Sequence, residues 1–213
     1  MKKHLSTILC SLVLICWASG ALAATSTINL NYAFTSDNYV TSFSLFNGND
    51  LVQSFGPKET DWWVPLSGTY SNLSAGTTYT LQWEVVNGNF ENPVAPSGEN
   101  NPMAFIGQFS VNGFEYLSSD QTIWSINNVN PTSYGLLSDP TTIWYSTRDG
   151  YNSLKNFIDD AAQWIGFGAY PGSTSSMIVS ATFTTAPVPI PGAALLLGSA
   201  ILGLVGIRRR QLV

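Results

Sequence analysis

The sequence predicts an all-β antiparallel fold, a sandwich or barrel, set between two apolar ends. Three observations predict it: apolar and polar residues alternate with period two through most of the interior, Asn-Gly pairs separate neighbouring runs, and only one stretch shows helical spacing. In chain order, the first run is Ile28, Leu30, Tyr32 and Phe34, and the second is Tyr39, Thr41, Phe43 and Leu45. Asn47-Gly48 precedes Leu51-Val52, as in a tight hairpin, because such pairs accept positive φ. Residues 77–85 put Tyr79, Leu81, Trp83 and Val85 on one face and Thr78, Thr80, Gln82 and Glu84 on the other, which assigns Trp83 to the core. Phe105, Gly107, Phe109 and Val111 repeat the rhythm, Asn112-Gly113 turns the chain into Phe114-Glu115-Tyr116-Leu117, and residues 178–183 close the series.

The helical stretch is Leu154, Phe157, Ile158, Ala161, Ala162 and Ile165, at three- and four-residue steps after Asn152-Ser153. It predicts one short amphipathic helix from near Ser153, covering an open end of the sandwich. Residues 119–125 and 138–146 resemble one another and read as two similar loop-to-strand approaches, since two copies do not make a solenoid.

Neither end belongs to this fold. Met1-Lys2-Lys3-His4, an apolar stretch from Leu5 to Trp17 and small residues through Ala24 form the three-part layout of a secretory signal. Ala21 and Ala23 supply the small side chains a signal peptidase pocket accepts, so residues 1–23 are a signal peptide cut before Ala24. Residues 190–207 carry no charge and, as a helix, span roughly 27 Å, enough for a hydrocarbon core. Arg208, Arg209 and Arg210 follow and hold that end in the cytoplasm, leaving the interior domain outside.

What remains, residues 24–186, is the size of one domain. Both cysteines, Cys10 and Cys16, and the sole histidine, His4, lie in the signal peptide. The exported domain therefore lacks the imidazole or thiolate on which Ser-His-Asp, Cys-His and the usual zinc sites depend. Lys58, Arg148 and Lys155 stand against all thirteen acidic residues of the chain, three minus thirteen, a formal charge of −10. Such a domain repels nucleic acid, whose binding requires many basic contacts to phosphate.

Two family resemblances add to this reading. The string from Val188-Pro189-Ile190-Pro191-Gly192 through the apolar span to Arg208-Arg209-Arg210 resembles the PEP-CTERM sorting tails in their Val-Pro-x-Pro variant, with Ile190 where the name-giving form has Glu. The resemblance covers residues 188–213 and implies recognition by a membrane exosortase, cleavage near the proline motif, and delivery to the cell surface or extracellular matrix, in the setting of exopolysaccharide or biofilm. It makes residues 187–213 a sorting tail, anchored in the membrane until processed.

Residues 36–184 also resemble, with gaps, galactose-binding-like jelly-roll modules. The likeness is carried by Ser36-Asp37-Asn38-Tyr39-Val40, by Phe46-Asn47-Gly48 with Leu51-Val52, by Trp62-Trp63, by residues 73–79 with Val86-Asn87, by Phe105-Ile106-Gly107, and by residues 116–120 and 159–165. It implies a jelly-roll-like β-sandwich whose relatives bind carbohydrate, often with a structural calcium.

Aromatic rings are the visible binding chemistry. Flat rings stack on sugar CH faces, so Trp62, Trp63, Trp124 and Trp144 are candidates for a saccharide platform. Asp37, Asp50, Asp120, Asp139 and Asp149 lie in Asn/Ser/Gly-rich loops, where hard oxygens suit calcium, although no calcium-loop spacing is present. Asp159-Asp160, or Glu59 with Asp61, are the carboxylate pairs a glycan-cleaving enzyme would need, but sequence neighbours are poorly placed across a cleft. The expectation is a non-enzymatic surface or matrix protein contacting extracellular polysaccharide, with a purely structural or adhesive role and a glycan-cleaving role as alternatives. In exosortase-bearing cells the surface form is expected to start at Ala24 and to lack the span, while cells without the exosortase retain the tail; N-terminal sequencing and intact mass check both ends.

Overall fold

Alternating side chains become strands wherever a second strand can satisfy the backbone, and here that happens in two antiparallel sheets. The computed structural model describes residues 27–37, 39–58, 60, 62–87, 103–146, 150–168 and 176–187. The signal peptide, its cleavage residues Ala21, Ala23 and Ala24, the sorting tail with Val188, Pro189, Pro191, Gly192 and Arg208 to Arg210, and Glu59, Asp61 and Asp149 lie outside the described residues. Among the described residues no helix is long and apolar enough to cross a membrane; the expected span, 190–207, lies outside them.

The strands are β1 (Ile28–Asp37), β2 (Tyr39–Asn47), β3 (Asp50–Ser54), β4 (Leu66–Leu73), β5 (Thr78–Val86), β6 (Ala104–Val111), β7 (Phe114–Leu117), β8 (Trp124–Ile126), β9 (Thr132–Leu136), β10 (Gln163–Gly166) and β11 (Ser176–Thr184). Two single-turn helices, α1 (Ile143–Ser146) and α2 (Gly150–Leu154), lie between β9 and β10. The first sheet runs β4-β1-β6-β10-β9, with β7 sharing the edge of β6 beside β10; the second runs β3-β2-β5-β11-β8. The fold is thus an all-β sandwich.

Both Asn-Gly pairs mark hairpins, in two different ways. Between β6 and β7, Asn112 and Gly113 both take positive φ, +55° and +80°, the demand of a type I′ turn. Between β2 and β3, Asn47 is still paired with Asp50, so the turn residues are Gly48 and Asn49, and Gly48 alone is left-handed at +58°.

The inter-sheet core is an aromatic spine. Phe43 and Trp83, paired across β2 and β5, stack at 4.9 Å and 6°. Phe55 stacks on the far side of Phe43 at 4.3 Å. Trp83 stacks on Trp124 at 5.4 Å across β11, where Val179 and Ala181 are narrow enough to leave room for both indoles. Gly68 on β4 is required for the same reason: a Cβ there would meet the Tyr32 hydroxyl at 2.5 Å.

A second apolar cluster lies on the opposite, outer face of the first sheet. Ala33, Ala104 and Ile106 from that face pack with Leu137, Trp144, Leu154, Ile158, Ala162 and Trp164. Residues 137–146 and 150–162 therefore cover part of a sheet face, where the sequence predicted a helix over an open end. Burial along β1 records the cover. Its first residues alternate, Ile28 and Leu30 buried with Asn29 and Asn31 exposed, whereas Ala33 to Ser36 are buried on both faces.

The predicted helix from Ser153 to Ile165 is corrected as well. The helix starts at Gly150 and stops at Leu154, whose carbonyl accepts from the amides of both Phe157 and Ile158. Beyond it Asp159 caps a turn, with its Oδ1 accepting from the Ala161 amide at 2.7 Å, and Ile165 is in β10, facing the inter-sheet core. Leu154, Ile158 and Ala162 are buried, the first at the end of the helix and the other two in the turns beyond it, while Phe157 and Ala161, at the same spacing, are exposed.

The two similar segments do share a turn. Asp120 Oδ1 accepts from the amide and hydroxyl of Thr122, and Asp139 Oδ1 accepts from the amide and hydroxyl of Thr141, all at 2.6–2.9 Å. The copies then diverge. The first enters β8, while the extra residue of the second, Thr142, precedes α1, so the second is a loop-to-helix approach and not a strand. Replacing Trp124 with alanine is expected to cost about 3–5 kcal/mol in chemical denaturation, the range for emptying a large aromatic site. The lower end is favoured, because the Trp124 indole N–H is buried without a hydrogen-bond partner among the described residues.

Candidate functional site

Because the outer layer covers only part of the first sheet, the remainder faces water as a groove of about 350 Å³. That volume is at the lower end of small-ligand sites. Its floor is set by strand register. Thr69 on β4 pairs with Asn31 on β1, Asn31 with Ser110 on β6, and Ser110 with Glu115 on β7. Paired residues share a face, so these four polar side chains form a row perpendicular to the strands, roughly 14 Å long from the strand spacing. The row is partly self-bonded: the Thr69 hydroxyl donates to Asn31 Oδ1 at 2.8 Å, and Asn31 Nδ2 donates to Ser110 Oγ at 3.5 Å.

The wall opposite the open edge is Asn156 and Phe157. Phe157 is 46% exposed, an aromatic ring left standing beside a polar floor. Gln108 of β6 places it there. The Gln108 amide donates from Nε2 to the Phe157 carbonyl at 3.0 Å and accepts at Oε1 from the Asp159 amide at 2.7 Å. One side chain thus mimics a neighbouring strand and fastens the loop to the sheet. Lys155 is turned elsewhere, its Nζ donating to Asn152 Oδ1 at 2.7 Å and lying 5.3 Å over the Tyr151 ring.

The sequence candidates are placed differently. Trp124 and Trp144 are 1% and 2% exposed, the first in the inter-sheet spine and the second stacked on Trp164 at 4.7 Å. They belong to clusters on opposite faces of the first sheet, so they present no common platform. The reason is size: a sandwich of this length fills its core with its largest rings. Trp62 is half-buried against the outer cluster, over Gly150, and Trp63 is half-buried beside it; neither lines the groove. Trp83 is buried, as its face predicted.

Among the carboxylates, Asp37 Oδ2 accepts from the Trp144 indole at 2.9 Å and anchors the outer layer, while Asp50 is exposed at the β2–β3 hairpin. Asp120 and Asp139 organise their turns through Thr122 and Thr141. Among the described residues no three His, Cys, Asp or Glu side chains converge as a metal site would require. Asp159 and Asp160 likewise bond locally, to the Ala161 amide and to the Tyr151 hydroxyl. That bond raises the Tyr151 pKa, chiefly because ionising the phenol would forfeit its donation to Asp160.

No sequence signal marks the groove residues Asn31, Thr69, Gln108, Ser110, Glu115, Asn156 and Phe157 as a site, although Glu115 and Phe157 enter the strand and helix patterns. Their signal was the polar parity of each strand, but only the register shows that four of them share one row. No protein family, curated protein or solved structure matches the chain.

The Thr141 hydroxyl, and then its amide, hold the Asp139 carboxyl below the ordinary aspartate value by bonding its charged form. A depressed folded-state value contributes stability that is present above the unfolded aspartate value and lost as pH falls through the folded one. Thr141→Val is expected to raise the Asp139 midpoint toward the ordinary value, as read by carboxyl NMR titration.

Proposed function

We propose that this chain is an exported, exosortase-sorted surface or matrix protein whose β-sandwich contacts extracellular polysaccharide without cleaving it. The observation that carries the binding reading is the groove: a row of hydroxyl and amide groups, Thr69, Asn31 and Ser110, facing an exposed phenyl ring. Sugars offer those two surfaces, hydroxyls for the row and CH faces for the ring. The resemblance of residues 36–184 to galactose-binding-like jelly-roll modules points the same way, and so does the resemblance of the tail to PEP-CTERM signals.

A non-enzymatic role is favoured by the lining. Glycoside hydrolysis uses two carboxyls on either side of the scissile bond. Among the described residues the groove offers one, Glu115. The absence of histidine and cysteine from residues 24–186 removes the common alternatives. A structural calcium remains part of the jelly-roll reading, with Asp149 beyond the described residues. The partners of this reading are an exosortase, the membrane before processing and a polysaccharide afterwards.

Affinity electrophoresis of the full chain in mild detergent, through gels cast with different polysaccharides, tests this. Retardation by at least one polysaccharide is expected, and Phe157→Ala combined with Asn31→Ala is expected to weaken it at least tenfold while the circular dichroism stays unchanged. Equal mobility in every gel would leave the adhesive or purely structural role.

A further inference from the structure

The groove's charge is as informative as its shape. Among the described residues its lining carries one carboxylate, the exposed Glu115 at the β7 end of the polar row, and no cation. Lys155, one residue before the Asn156–Phe157 wall, spends its ammonium on Asn152 and Tyr151. Residues 24–186 as a whole are strongly acidic, three basic residues against thirteen acidic ones with Glu115 among them. A polymer carrying carboxylates or sulfates would therefore meet like charge both at the groove and around it.

Glu115 does more than exclude anions. Ser110 is paired directly with it, and Asn31 and Thr69 continue the same line, so a chain lying along the row brings one end of its bound segment against a carboxylate. Nothing in the row neutralises that carboxylate. An ammonium on the sugar would do so, with a charge-assisted hydrogen bond stronger than any the neutral hydroxyls make. The phenyl ring of Phe157 suits the same ligand, because sugar CH groups that carry partial positive charge prefer an aromatic face.

We infer that the groove selects an amino-sugar polysaccharide with free amines, its ammonium paired with Glu115 and its ring against Phe157. This rests on the saccharide-binding reading above and narrows it to one class of polymer. Neutral and N-acetylated sugars satisfy the hydroxyl row alone, and uronic-acid polymers are repelled.

The test is direct binding of the full chain in mild detergent, at mildly acidic pH where sugar amines are protonated, to three oligomers of equal length: β-1,4-linked glucosamine, its fully N-acetylated counterpart, and a uronic acid oligomer. The glucosamine oligomer is expected to bind at least tenfold tighter than the N-acetylated one, and the uronic acid oligomer not to bind. Glu115→Gln is expected to erase that tenfold preference. Glu84→Gln, which removes the same charge from the exposed outer face of the other sheet, is expected to keep it. Equal loss in both variants would mean that the domain merely attracts polycations, and a preference surviving Glu115→Gln would remove Glu115 from recognition; either overturns the inference and leaves the groove standing. Failure of all three oligomers to bind folded protein would remove the groove reading itself.

Discussion

The stacked indoles of Trp144 and Trp164 decide how much of the first sheet faces water. Trp164 leaves β10 on the outer side, Trp144 comes down on it from α1, and the Trp144 N–H bonds Asp37 at the end of β1. Burying two such rings on a sheet that is already apolar on its inner side makes the covered half a layer with core on both faces. Everything that distinguishes the exposed half, including its polar row and its aromatic wall, exists because that cover stops where it does. Gln108 marks the boundary: on the covered side its neighbours in β6 are buried throughout, and on the open side Ser110 reaches solvent.

How legible this was in the sequence depends on what each residue answers to. Period-two runs answer to one buried face, and β1, β2, β5, β6 and β11 lie where those runs put them. Strands β4, β9 and β10 have no such run, and β8 is legible only as the strand that the 119–125 segment enters. β4 places a glycine and serines among its alternating positions, β8 and β10 are three and four residues long, and β9 carries a left-handed Gly135. Short strands are specified by their partners more than by their own periodicity. The helical spacing of Leu154 to Ile165 answers to burial only in part: Leu154, Ile158 and Ala162 enter the outer cluster, but the chain leaves the helix at Leu154 and turns at Asp159, so Phe157 and Ala161 are exposed and Ile165 faces the other core.

The same limit governs the site. Tryptophan in a loop-like stretch of sequence suggests a platform, but Trp124 and Trp144 sit one residue after the isoleucines of two Asp-x-Thr turns that exist to drive those indoles inward. Acidic residues in such stretches suggest calcium, and two of them, Asp120 and Asp139, each have one oxygen engaged by the hydroxyl and amide of a threonine two residues away. The groove instead comes from residues with no individual signal, asparagine, threonine, serine and glutamate on four different strands. Register, a property of pairs, assembles them.

The last described residues are held unusually well for the end of a domain. Thr185 is buried, its hydroxyl donates to the Ser74 carbonyl at 2.7 Å and accepts from the Thr77 amide at 3.0 Å, and Ala186 accepts from Gly76. Upstream lies β11, interior to its sheet and laced along nine residues to β5 and further to β8. Load applied along the axis of β11 from beyond Pro187 would have to tear out the Thr185 clasp and then draw a central strand lengthwise, breaking its rungs together and not one at a time. A domain tethered by that end would resist shear from flowing water or a dragging matrix far better than one tethered through an edge strand, which unzips.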